Sequence, residues 1–157
     1  MTAARDARCL RRTSRYFFLA FVLFVAACAR APRDPVVDCL YGAAKSAEAR
    51  DADGLLARVS EGYRDAAGGK ADAGLLLKRY FAAYESLSIS LANVAVQRGE
   101  SSARARFTVR MSGRPRAVAG LEGLLPRASR WRFDVRLAAE KDGWRITEAA
   151  WERLGDD

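Results

Sequence analysis

From Ser86 onward the apolar residues of this 157-residue chain change their spacing from three-and-four to two, and that switch orders its elements. Upstream, Val37, Leu40, Tyr41, Ala44 and Ala47 recur at helical intervals behind Asp34-Pro35, an N-cap with proline at the first helical position. Cys39 falls at the edge of that stripe and reads as a small packed hydrophobe. Asp51-Ala52-Asp53-Gly54 breaks the helix and recaps a short one over residues 55–60. Residues 61–69 read as a glycine-bounded loop with room for a few extended residues, and a third helix capped by Asp72 carries Leu76, Leu77, Tyr80, Phe81 and Tyr84. Downstream, Leu87, Ile89 and Leu91 alternate with polar or small residues, and Val94 and Val96 resume past a bulge at Asn93. A second strand alternates Ala103, Ala105, Phe107, Val109 and Met111 with Arg104, Arg106, Thr108 and Arg110. After a loop over 113–129, with room for a turn of helix near 118–125, a strand over 130–140 turns inward Trp131, Phe133, Val135 and Leu137. Asp142-Gly143 is a hairpin signal returning through Trp144 and Ile146. The expected class is α+β: three N-terminal helices packed on a curved antiparallel sheet of at least four strands.

Histidine is absent, which excludes imidazole ligands and His general bases. Cys9, Cys28 and Cys39 form no Cys-x-x-Cys pair, so neither a metal nor a cofactor is expected. The formal charge of +8 is uneven: residues 1–27 carry five arginines against Asp6, leaving 22 basic minus 18 acidic, or +4, for the rest.

Behind those arginines, residues 16–27 form an uncharged run of twelve. As a helix it would reach about 18 Å, short of the roughly 30 Å hydrocarbon core of a bilayer, so it reads as a secretory signal rather than a span. Val25-Ala26-Ala27-Cys28 resembles the lipobox of bacterial lipoprotein precursors, in which the cysteine is acylated and becomes the first residue. The resemblance implies a signal peptide over 1–27, a lipidated tether over 28–33 attached through Cys28, and a domain over 34–154. Ala29 in second place points to the periplasmic side of the outer membrane rather than the inner membrane. An ordinary signal cut after Ala29 is the alternative, since Ala27-Cys28-Ala29 satisfies the small-x-small rule.

The element order, together with Ala52-Asp53-Gly54-Leu55-Leu56, Gly62-Tyr63-Arg64-Asp65, Arg79-Tyr80-Phe81 and Asp142-Gly143-Trp144-Arg145-Ile146, resembles the nuclear transport factor 2-like superfamily. That resemblance implies a cone with an apolar cavity at one end, in a group that includes ketosteroid isomerases, polyketide cyclases, dehydratases and proteins without catalysis. Fold then leaves activity open. Asp65 stands where the isomerases carry their general base, with Tyr41, Tyr63 or Tyr84 as hydrogen-bond donors to an enolate. The plainer reading has Asp65 starting a turn, or pairing with Arg64 or Arg79. Tyr41, Tyr84, Trp131, Phe133 and Trp144 are the expected pocket lining. Glu148 faces the cavity if the last strand alternates strictly; a bulge near Ala149 turns Trp151 inward instead, which buries an indole rather than a charge.

Arg104, Arg106, Arg110, Arg130, Arg132 and Arg136 form an outward ladder within a stretch, 98–136, of ten arginines and three acids. Such a face attracts anionic head groups or an acidic partner, or supports a homodimer through the sheet face. The plainer reading is a solvated surface in which Asp134, Glu140 and Glu152 pair locally. No aromatic interleaves it, so nucleic acid is not an expected partner. The expectation drawn from all this is a lipid-anchored cell-envelope protein whose domain binds a small apolar ligand or an envelope protein without catalysis. The alternative is a membrane-tethered isomerase, cyclase or dehydratase acting on a small apolar carbonyl compound through Asp65 and Tyr63.

Overall fold

The structure, a computed structural model, describes residues 34–116 and 126–155. The signal peptide over 1–27, the acylated Cys28 with its tether over 28–33, and the turn of helix near 118–125 are expectations that lie outside the described residues.

Helix α1 (Pro35–Glu48) begins as expected, with the Asp34 carboxylate accepting from the Val36 amide at 2.8 Å. Its buried face is Val36, Cys39, Leu40 and Ala47, so the stripe is rotated by one position and Tyr41 lies 43% exposed. The cause is Cys39, whose thiol is central rather than marginal and donates to the Trp144 carbonyl at 3.2 Å. Burial raises the pKa of that thiol, against the opposing pull of Arg58 and Arg145. The helix ends on Arg50 at φ 59°, a left-handed position where glycine is usual. The Arg50 guanidinium donates to the Tyr84 carbonyl at 2.8 Å, tying the helix end to the start of the third strand.

Helix α2 (Ala52–Leu56), capped by Asp51 on the Gly54 amide at 2.8 Å, stops before residue 60. Residues read as helix and loop instead form β1 (Val59–Asp65) and β2 (Gly68–Gly69), a hairpin turned at Ala66 and Ala67. Helix α3 (Lys70–Ala82) then starts three residues earlier than expected, with Gly69 rather than Asp72 as N-cap, because Asp72 acts from inside its first turn, accepting from the Gly69 amide at 2.9 Å. Tyr84 belongs to the next strand, and Leu76, expected on the buried stripe, is 51% exposed.

The strands β3 (Tyr84–Arg98), β4 (Ser102–Pro115), β5 (Ala128–Glu140) and β6 (Gly143–Gly155) form the expected antiparallel meander. Among the described residues the sheet has six strands in the order β2-β1-β6-β5-β4-β3, and β1 runs parallel to β6. The sheet is therefore mixed, not wholly antiparallel. β1 was hidden because Val59-Ser60-Glu61-Gly62-Tyr63 shows no clean alternation; what makes it a strand is pairing with β6, with Val59 opposite Ile146.

Asn93 takes φ 53° where the β3–β4 register shifts between Ala92 and Ala95, the bulge foreseen there. The β5–β6 turn is formed by Lys141 and Asp142, one residue earlier than read, and Gly143 opens β6 at φ 113°. In β6 a second bulge sets Ile146 opposite Leu137 and Glu148 opposite Arg136, leaving Thr147 extra. It lies earlier than the expected Ala149, and its effect is to put Trp151 opposite Phe133 on the helix-covered face and Glu148 on the other. The core under the helices has two parts, one around Val36, Leu137 and Trp144, the other around Phe81, Tyr84 and Met111. Each fully buried side chain of this kind contributes roughly 1.5–3 kcal/mol.

Candidate functional site

The helix-covered, concave face of the sheet ends in a tier of aromatic rings. Phe107 of β4 stacks on Phe133 of β5 at 5.5 Å between centroids, and Phe133 on Trp151 of β6 at 6.0 Å. Trp151 is 41% exposed, so the tier begins in the core and finishes in solvent. The next rank along the strands is Val109, Trp131 and Arg153, side by side in register. Trp131 donates from Nε1 to the Ser129 hydroxyl at 2.9 Å. Above Met111, Tyr80 of α3 packs its ring 5.1 Å from that of Tyr84 and donates its hydroxyl to the methionine sulfur at 2.8 Å. Burial raises the Tyr80 pKa, and Arg153 pulls it the other way.

Asp65 sits at the tip of β1, two residues from Tyr63 and therefore on the same face of the strand. Tyr63 is buried in the main core and donates its hydroxyl to Asp65 Oδ2 at 2.7 Å. Oδ1 accepts from the amides of Ala67 at 2.7 Å and Gly68 at 2.9 Å, closing the β1–β2 turn. The Tyr63 pKa is raised, chiefly by burial and then by its bond to Asp65, so the phenol keeps its proton. Both carboxylate oxygens thus have donors before any substrate arrives.

The other expected lining residues are dispersed. Tyr84 is fully buried and donates its hydroxyl to the Pro126 carbonyl at 2.9 Å. Trp144 is a core residue with the Arg98 guanidinium 5.2 Å over its ring, and Tyr41 lies off the buried stripe of α1. Only Trp131 and Phe133 of the five stand half-buried on the concave face. Phe107, Tyr80 and Arg153 are not among the site residues the sequence singles out; for Arg153 the signal is the β6 bulge, which puts Ala149, Trp151 and Arg153 on the concave side.

On the opposite face the arginine ladder is interleaved with acids. Arg104 holds Asp134 by two bonds, at 2.8 and 2.5 Å, and Arg106 lies 3.8 Å from the same carboxylate. The bond from Arg104 keeps the Asp134 carboxyl below the usual carboxylate range. Arg132 pairs with Glu152, and Arg136 with Glu148 at 3.3 Å. Arg110 is exposed with Arg130 opposite it in register. An open groove of 580 Å³ crosses this face near the β3–β4 turn, lined among others by Gln97, Ser102, Arg104, Arg136 and Thr147.

A six-stranded curved sheet wrapped on three helices in this order is the nuclear transport factor 2-like, or cystatin-like, fold, and solved structures share it. A Novosphingobium aromaticivorans protein provisionally named a scytalone dehydratase superposes with a TM-score of 0.68 at 12% identity, over 78% of this chain and 83% of its own. Another from that organism, provisionally named an aromatic ring hydroxylase, gives 0.65 at 20% identity, over 76% and 87%. A nuclear transport factor 2-like superfamily protein from Salmonella enterica serovar Typhimurium gives 0.63 at 14% identity, over 77% and 89%. No family model and no curated protein matches the sequence. At these identities the likeness establishes the fold.

Proposed function

We propose that this chain is a lipid-anchored protein of the cell envelope, held through Cys28 at the periplasmic side of the outer membrane, whose domain binds a small apolar ligand on its concave face without turning it over. The observation that carries the binding reading is the Phe107–Phe133–Trp151 tier, a stacked apolar wall that continues from the core into solvent. The engagement of both Asp65 oxygens supports binding over catalysis, since the carboxylate already closes the β1–β2 turn and holds the Tyr63 hydroxyl, the turn role its sequence position also allows. The lipid reading rests on Val25-Ala26-Ala27-Cys28 behind a short apolar run.

Native mass spectrometry of the protein extracted from its own envelope tests both parts. The expected result is a diacyl- or triacyl-modified Cys28 at the N-terminus and a retained small molecule that Trp151→Ala releases. An unmodified Cys28 overturns the anchor. A carbonyl substrate converted by the wild type and not by Asp65→Asn overturns the non-catalytic reading in favour of an isomerase, cyclase or dehydratase. Self-association through the outer sheet face appears in the same spectra as a dimer.

A further inference from the structure

We infer that the domain has a second site, for a small phosphate monoester, in a recess where the C-terminal ends of α1 and α3 come together, with Arg50, Lys78 and Arg116 as its donors. The site shares no residue with the aromatic tier and is independent of the ligand proposed there.

The recess has a volume of 300 Å³, and its lining includes Ala52 and Phe81, both buried in the core. Its charged lining is three cations and no acid. The carboxylates closest to Arg50 in sequence are engaged elsewhere: Asp51 accepts from the Gly54 amide at 2.8 Å and Glu48 from the Ile89 amide at 3.4 Å. Asp53 answers Lys78 at 3.3 Å, a pair whose two side chains are both exposed. Among the described residues Arg50 and Arg116 form no ion pair. Arg50 directs one of its five N–H donors at the neutral Tyr84 carbonyl, at 2.8 Å, and keeps its charge unanswered. Its backbone, at φ 59°, favours glycine, so an arginine stands there against local preference.

Capping the two helix ends does not account for these cations. The carbonyls of Lys45, Ser46 and Ala47 already accept from the amides of Ala49, Asp51 and Arg50 at 3.0, 2.8 and 3.0 Å. Those of Tyr80 and Ala83 accept from the amides of Ala83 and Arg116 at 3.1 and 2.9 Å. Each helix C-terminus brings about half a negative charge, so with Asp53 the negative total is about two against three cations, and the recess stays positive. Two guanidinium forks and an ammonium offer more donors than the two oxygens of a carboxylate take up, and they match the three terminal oxygens of a phosphate ester.

The test is calorimetric titration of the purified full chain with phenyl phosphate and with phenol. The expected result is one phenyl phosphate bound per chain, at least about tenfold more tightly than phenol, with a preference that added salt reduces. Arg50→Gly, which suits the left-handed backbone, and Arg116→Gln should each weaken phenyl phosphate about tenfold, and Lys78→Gln about threefold because Asp53 already offsets that charge. Arg110→Gln removes the same charge from the outer sheet face and should leave the affinity within about twofold. Displacement of phenyl phosphate by phosphatidylcholine vesicles containing phosphatidic acid, and not by phosphatidylcholine alone, supports the site with a lipid as the source of the phosphate. Displacement by glycerol 3-phosphate without an effect of the vesicles supports it with a free ester. Phenyl phosphate bound no better than phenol, Arg50→Gly and Arg116→Gln variants that keep the affinity, or an Arg110→Gln loss as large as theirs overturns the site, whatever the concave face binds.

Discussion

Asp65 is where a structural and a catalytic role predict different behaviour, and two substitutions separate them. Asp65→Ala removes the acceptor of three donors: the Tyr63 hydroxyl at 2.7 Å and the Ala67 and Gly68 amides at 2.7 and 2.9 Å. The two amides lie at the turn, where water replaces much of the loss, so together they account for about 1 kcal/mol. The Tyr63 side chain is 5% exposed, and its orphaned hydroxyl adds about 1–2 kcal/mol of unmet desolvation. The sum is a destabilisation of about 2–3 kcal/mol. Asp65→Asn keeps an oxygen for the turn amides, and Tyr63 can accept from the new amide nitrogen, so it should cost within about 0.5 kcal/mol. Tyr63→Phe removes the donor along with its need and should cost about 1 kcal/mol, and the double variant Tyr63→Phe/Asp65→Ala should fall short of additivity by about 1 kcal/mol. Urea unfolding followed by tryptophan fluorescence measures all four. An Asp65→Ala variant no less stable than Asp65→Asn, or strict additivity of the pair, would refute the assignment of this carboxylate to the turn.

Two further outcomes follow from the packing and the charges. A β-carbon on Gly113 would stand 2.7 Å from the Ser86 carbonyl oxygen and 2.9 Å from both Leu87 and fully buried Tyr84, so Gly113→Ala should destabilise by about 1–2 kcal/mol even after the gain from a stiffer unfolded chain; a thermal melt at or above wild type would count against the register of β3 and β4. Asp134 has its pKa lowered by Arg104, so the pair's contribution is present above the unfolded value near 4 and is lost as pH falls through the lower folded value. Because the pair is solvated, the stability difference between wild type and Asp134→Asn should be small, present at pH 7 and gone in acid; a difference that does not change with pH would show the pair contributes nothing through charge.

Much of the fold was legible because its signals are local. Asp34-Pro35 and Asp51 cap helices wherever the chain goes, the alternation from Leu87 through Met111 selects one strand face, and Asn93 tolerates the left-handed backbone its bulge requires. The rotation of α1 was not legible, since Cys39 and Tyr41 are both admissible on an apolar stripe and only the space beneath Trp144 chooses the smaller. Nor was β1, whose strand conformation comes from hydrogen bonding to β6 across more than eighty residues of chain.

The concave site divides in the same way. The aromatic residues and the Tyr63-x-Asp65 spacing stand in the sequence, but spacing on an unrecognised strand places nothing. Whether Trp151 and Arg153 face the helices depends on one extra residue, Thr147, and a one-residue slip reverses every side chain after it. Sequence determined the elements, their order and the chemistry available to them, because capping, periodicity and turn preference act within a few residues. Tertiary structure decided which of those side chains meet, because strand partners, bulge position and helix rotation are set by packing between segments far apart in the chain.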